Sequence, residues 1–252
     1  VALLVDGSWC EVDDLQAYDV SATTVADEEG IDLAAKMSLS EAWITDRVDA
    51  FVRWETGMIT QGLTSLTGQN AVVNEPLKRW HMANVLAMLY RDASFSQVND
   101  RYEKKWKVFQ QDAAERKAEY FLAGVPYVGN PVRQPSAPAV NVIVGVQPAA
   151  AYAISVTRVD GAGRESAPSE LTAVQAPAGN GITVSAIGLT AGDRWNVYAT
   201  NGDEPMQKQN GDPLNGTAAW TLPDGGLSAG QQAGDGQAPD GWVRQRRVLP
   251  RG

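Results

Sequence analysis

Cys10 and His81 are the only cysteine and the only histidine in the chain, so thiol or imidazole chemistry can be built only around them. They could pair as nucleophile and base, but no recognisable local motif surrounds either residue. His81 lies within the most apolar helical stretch, where a histidine reads as part of a core rather than as a catalyst. Cys10 reads as a small residue near a strand or turn. A zinc site draws several ligands from Cys and His, and two such residues are too few. Gly161-Ala162-Gly163 is too short for a dinucleotide loop, and no Gly-Lys-Ser or Gly-Lys-Thr exists to cradle a phosphate. Asp13-Asp14 and Asp27-Glu28-Glu29 could attract a hard cation, yet neither has the twelve-residue calcium-loop pattern. A glycosidase carboxylate pair comes from distant positions, so that reading stays open. Trp195, Trp220 and Trp242 leave open a carbohydrate- or protein-binding surface. The expectation is a chain with no catalytic residue, no metal and no cofactor.

The elements that would position these residues change character half-way along the chain. Ile31–Met37 reads as helical, and Ser40 reads as the cap of a further helix with Trp43, Ile44, Val48, Phe51 and Val52 on its buried side. Pro76 opens a helix to Asp92 that is apolar around most of its circumference, as a central helix would be. A second long helix, Val98 to Leu122, carries one narrow stripe of Val98, Tyr102, Trp106, Phe109, Ala113 and Tyr120. Such a stripe needs a neighbour, in this chain or in another copy. Gly124 and Pro126 stop that helix. Four prolines between Pro126 and Pro138 then mark a linker. Beyond it the period becomes two, with strands expected over 140–146, 151–159, 171–175, 181–187, 194–200 and 218–222. Short strands with Gly/Pro turns predict a β-sandwich. The expected architecture is a multidomain α + β chain. An all-α bundle covers 1–125, a linker 126–139, an antiparallel β-sandwich 140–222 and a flexible arm 223–252.

Charge is segregated. Residues 1–60 hold thirteen acids against three bases, residues 74–117 nine bases against six acids, and the last dozen residues four arginines with no acid. Unlike faces of this kind fit contacts between neighbouring copies. Acids outnumber bases overall, which disfavours tight binding along a nucleic-acid backbone. No apolar run approaches the roughly 20 residues of a membrane helix, and no signal peptide is recognisable. One cysteine rules out an internal disulfide framework and fits a reducing compartment.

Several stretches are familiar in order and spacing. These are the acidic N-terminal region, the helix Glu41–Trp54, the segment Pro76-Leu77-Lys78 leading into an apolar helix that ends Leu89-Tyr90-Arg91-Asp92, and the long helix to Tyr120. Together, over about half of the chain, they resemble the head–tail connector (adaptor) proteins of long-tailed bacteriophages. Tyr152 to Ser169 resembles the late strands, and Trp195 to Thr200 an earlier strand, of immunoglobulin-like and fibronectin-like modules appended to phage structural proteins. Their order here is reversed, which implies a permuted module. The closing Pro239 to Arg247 is similar to phage sequences as well.

The connector resemblance implies a homo-oligomeric ring of about twelve copies beneath a portal protein, closed by heterologous contacts. It implies a tail-completion or other neck protein below, and genomic DNA passing through without tight binding. Asp13, Asp14, Asp27, Glu28 and Glu29 would then face the channel or a neighbour. Tyr102, Trp106 and Phe109 with Arg101, Lys104 and Lys105 would pack between subunits. Trp242 with Arg244, Arg246 and Arg247 would dock into the portal. The location implied is the virion neck, assembled in the host cytoplasm. Two alternatives remain: a virion decoration or host-surface module multimerised by its helices, and an enzyme acting on cell-wall sugar.

Overall fold

The computed structural model describes residues 2–7, 9–57, 66–96, 101–202, 204–234 and 236–245. Five helices fill the first half: α1 (Val12–Tyr18), α2 (Ala22–Glu29), α3 (Leu33–Gly57), α4 (Glu75–Ser96) and α5 (Glu103–Ala123). Polar side chains take up N–H groups that the first turns leave free. Asp32 Oδ1 accepts from the Ala35 N–H at 2.9 Å at the head of α3, and Asn74 Oδ1 accepts from the Leu77 N–H at 3.1 Å at the head of α4. Pro76 falls in the first turn of α4, where its missing N–H costs nothing.

α4 is the central helix. Leu77, Trp80 and Ala83 pack with Ile44, Val48 and Val52 of α3 and with Tyr120 of α5. Leu86, Leu89 and Tyr90 pack with Leu15 of α1, Val25 of α2 and Tyr102 just ahead of α5. A helix apolar on most sides is thus buried on most sides. Each fully buried Leu contributes on the order of 1.5–3 kcal/mol.

Two helical expectations are corrected. Ser40 does not cap a helix: Leu33–Gly57 is one uninterrupted helix, and Ser40 lies fully buried inside it. Its hydroxyl is bonded to His81 and Asn84, and those bonds hold a serine in a helix interior. The stretch 21–29 reads from sequence as a loop and then an acid-rich first turn, but Asp27, Glu28 and Glu29 occupy the last turn of α2. Ala22, Val25 and Ala26 fix the buried side of that helix, and Gly30 at φ +64° ends it directly after Glu29.

The second half is antiparallel sheet. One sheet has the order β2 (Ala139–Val144), β5 (Asn180–Ser185), β9 (Ala219–Thr221). The other runs β4 (Thr172–Ala176), β3 (Ala150–Val159), β6 (Arg194–Thr200), β7 (Gln207–Lys208), with β8 (Leu214–Asn215) also on β6. Tyr152, Ile154, Val156, Trp195 and Val197 from the second sheet share one core with Ile182, Val184 and Trp220 from the first, so the two sheets form a sandwich.

The chain divides into two compact units, 130–238 and a helical unit of 3–129 with 239 onward. The β unit is therefore inserted into the helical unit. Strand β1 (Val125–Tyr127) pairs antiparallel with β10 (Gly241–Val243), and Val243 joins the helical core. This corrects two boundaries. The expected linker 126–139 begins inside a strand. The expected arm 223–252 is divided, its first part belonging to the β unit and Gly241–Val243 to the helical unit. Residues 223–238 lack an apolar pattern, yet polar bonds hold them. Gln237 bonds both the N–H and the C=O of Val132, and the Gln209 amide bonds both the C=O and the N–H of Ser228.

Candidate functional site

The one histidine and the one cysteine both border the N-terminal part of the helical unit. A cleft of about 760 Å³ is lined by Leu4, Cys10, Glu11, Met37, Ser38 and Glu41, among others. Burial pushes the Cys10 thiol up to about 12, with Asp14 and Glu41 adding to the effect, so it is not a thiolate nucleophile at neutral pH. Behind the cleft, His81 Nδ1 lies 3.0 Å from Ser40 Oγ, and Nε2 lies 3.8 Å from Glu41 Oε1. A serine, an imidazole and a carboxylate in that order resemble a hydrolase arrangement, but Ser40 and His81 have no exposed surface. A nucleophile must reach its substrate, and this one cannot. Burial lowers the His81 pKa to about 4, which fits a neutral core residue. Among the described residues no group of three or more His, Cys, Asp or Glu is placed to hold a metal ion.

The stripe assigned to packing between subunits finds its neighbour in its own chain. Tyr102 is buried against Tyr90, with ring centroids 6.0 Å apart, and Phe109 stacks on Tyr90 at 5.5 Å. Trp106 meets the exposed Phe95 at 5.7 Å. The reason is α4, whose second apolar side would otherwise be bare. Val98, also placed on that stripe, lies outside the described residues.

Much of the charge complementarity is likewise internal. Lys105 Nζ reaches Asp19 at 2.9 Å and the Tyr90 hydroxyl at 3.0 Å, and Arg101 lies 3.7 Å from Glu28. The Tyr102 hydroxyl also donates to Glu28, at 3.4 Å. Asp14 accepts from the Glu11 N–H and closes the first turn of α1. Asp13, Asp27 and Glu28 are exposed, Glu29 is half-buried, and Lys104 is exposed on α5. Asp19 is the residue that sequence reasoning missed. Burial works against its ionisation, but hydrogen bonds from Tyr90, Lys105 and Ser21 prevail and hold its pKa at about 2. Its only signal was its place in an acidic stretch, which did not separate it from its neighbours.

Of the residues expected to dock into a portal, Trp242 falls on the return strand. Trp242 pairs through its backbone with Pro126, and its side chain is 53% exposed. Arg244 follows, exposed, with its Cγ over Gly124. Arg246 and Arg247 lie outside the described residues. Gly124 has φ +101°, and a Cβ there would come within 2.8 Å of Arg244 Cγ and 3.1 Å of the Val243 carbonyl oxygen. Glycine at this position lets the return strand lie against the end of α5.

No protein-family model matches the chain, and no curated protein matches it significantly. Among the described residues no helix is long and apolar enough to cross a membrane.

Proposed function

We propose that this chain is a structural protein of a tailed-phage neck, a ring-forming connector that joins the portal vertex to the tail and lines the DNA channel. The observation that carries the reading is the return strand. Gly241–Val243 is clamped on β1 and leaves an exposed tryptophan ahead of an arginine-rich end. An exposed aromatic on a paired strand, followed in sequence by arginines, is the composition of an interface anchor. The burial of Ser40, His81 and Cys10 favours a non-enzymatic role. With the α5 stripe used inside the chain, contacts between copies fall to the surfaces left over: the exposed acids of α1 and α2, Lys104, and the exposed Trp54 on α3.

The test is the mass of the protein in solution, alone and with a purified portal protein. A connector joins the portal as a ring, and Trp242→Ala abolishes that association while the fold persists. Unchanged association of the variant overturns the docking role, and a protein that ignores the portal overturns the connector. The host-surface alternative is separated by joining Gly129 to Asp240 through a short glycine linker in place of the β unit. The Asp240 N–H already bonds the Tyr127 carbonyl at 2.8 Å, so the cut ends are close. A connector still assembles without the insert, whereas a host-surface module loses its binding.

A further inference from the structure

Residues 130–238 contain five basic side chains against nine acidic ones, and four of the five bases line one cleft. Arg133 comes from the entering segment, Arg158 from the end of β3, Arg164 from just beyond the following turn, and Arg194 from the start of β6. The cleft has a volume of about 570 Å³, and among the described residues the acids that line it are Asp160 and Asp193. Both are already engaged. Asp160 accepts from the N–H groups of Ala162 and Arg164 and from Arg164 Nε at 2.8 Å. Asp193 accepts from the Thr190 N–H and hydroxyl at 2.7 and 2.8 Å and from Arg158 Nη2. Each aspartate therefore fixes one guanidinium in place. A guanidinium has five N–H donors in a rigid fork, so Arg158, held by Asp193, keeps donors for another carboxylate, whereas Arg164 also gives Nη2 to the Asn130 carbonyl oxygen at 3.1 Å and serves to fix the cleft wall. Arg133 and Arg194 are exposed at the same cleft.

We propose that this arginine cleft is a binding site for a short acidic peptide segment, recognised through its carboxylates. The unit as a whole carries more acid than base, so a long polyanion such as DNA would extend beyond the cleft into a repulsive field. A segment with two or three carboxylates places its charge within one screening length of about 8 Å. Among the described residues the lining includes no aromatic ring on which a sugar could stack, which favours peptide over an acidic glycan. The site lies wholly within the β unit and does not depend on ring formation.

The experiment uses the full chain and a fluorescein-labelled hexaglutamate peptide, read by anisotropy. Saturable binding is expected, weakened about tenfold or more by Arg194→Glu combined with Arg133→Glu. Lys208→Glu, at the one base of the unit outside the cleft, should leave it within about twofold, since that side chain does not line the cleft. Thermal midpoints verify that each variant folds; Arg194→Gln replaces the double variant if the latter does not. Absence of saturable binding, or equal loss in Lys208→Glu, overturns the site. Tighter binding of a hexagalacturonate or a short DNA duplex than of hexaglutamate overturns the assignment to peptide.

Discussion

His81 and Ser40 meet inside the helical unit, Nδ1 to Oγ at 3.0 Å, while His81 Nε2 finds no hydrogen-bond partner among the described residues. The contact ties α4 to α3 through a side chain that burial keeps neutral, and this gives stability a pH dependence. In the unfolded chain the imidazole takes up its proton near 6.5, and in the folded chain near 4. Between those values the unfolded state binds more protons, so acidification favours unfolding. Stability should be level above pH 6.5, fall by roughly 3 kcal/mol toward pH 4, and lose no more from this group below that. Urea midpoints across the range measure it, and His81→Gln should flatten the slope. An equal slope in the variant would place the effect elsewhere.

Asp19 acts in a lower window. Its folded pKa of about 2 lies below the ordinary 3.8, so the stability it contributes is complete above pH 3.8 and is lost as pH falls toward 2. Its side chain is 12% exposed, whereas that of Lys105 is 45% exposed. Asp19→Asn should therefore cost about 2–3 kcal/mol at neutral pH, since it weakens the bonds from Tyr90, Ser21 and Lys105 together. Lys105→Met should cost only about 0.5–1 kcal/mol, and less at high salt. Chemical denaturation at two ionic strengths distinguishes the two. Equal costs would mean that the lysine, not the half-buried carboxylate, organises the cluster.

Periodicity carried most of the fold and little of the site. The strand expected over 194–200 matches β6, and the apolar circumference of Pro76–Asp92 foretold a central helix, because burial of alternate or encircling side chains leaves a local mark. Ser40 reads as a cap because a serine followed further on by Asp and Arg looks the same whether it caps a helix or answers a histidine 41 positions on. The α5 stripe required a neighbour, but sequence does not say whose; Tyr90 of the same chain settles it for Tyr102 and Phe109. The return of Gly241–Val243 to Val125–Tyr127 was illegible for a related reason. Strand pairing across more than a hundred residues depends on backbone hydrogen bonds, which leave little mark in the side-chain pattern.

Tyr120 is fully buried at the junction of α4 and α5, and its hydroxyl has no hydrogen-bond partner among the described residues. Its ring packs on Trp80 at 5.9 Å and on Phe121 at 5.4 Å, so the ring contributes to the core while the hydroxyl is desolvated. Tyr120→Phe should keep the packing and remove the uncompensated group, raising stability by about 1 kcal/mol. Tyr120→Ala should lose about 3–5 kcal/mol through the cavity it leaves. Thermal unfolding of both variants checks the pair. A destabilised phenylalanine variant would show that an ordered water satisfies the hydroxyl.

Gly124 tests the return strand without touching its side chains. An alanine there faces two penalties, a left-handed φ of +101° and a Cβ within 3.1 Å of the Val243 carbonyl oxygen. The Arg244 side chain can move aside, but the Val243 backbone can yield only by shifting β10. Gly124→Ala should cost about 1–3 kcal/mol. The loss should concentrate where β10 meets β1, so the Tyr127 and Val243 amides should exchange hydrogen faster, with protection at Trp195 and Val197 in the β unit unchanged. If Trp242 is the portal anchor, the same substitution should weaken portal association although every docking side chain is intact. Retained protection on β10 would mean that the strand does not depend on the glycine beneath it.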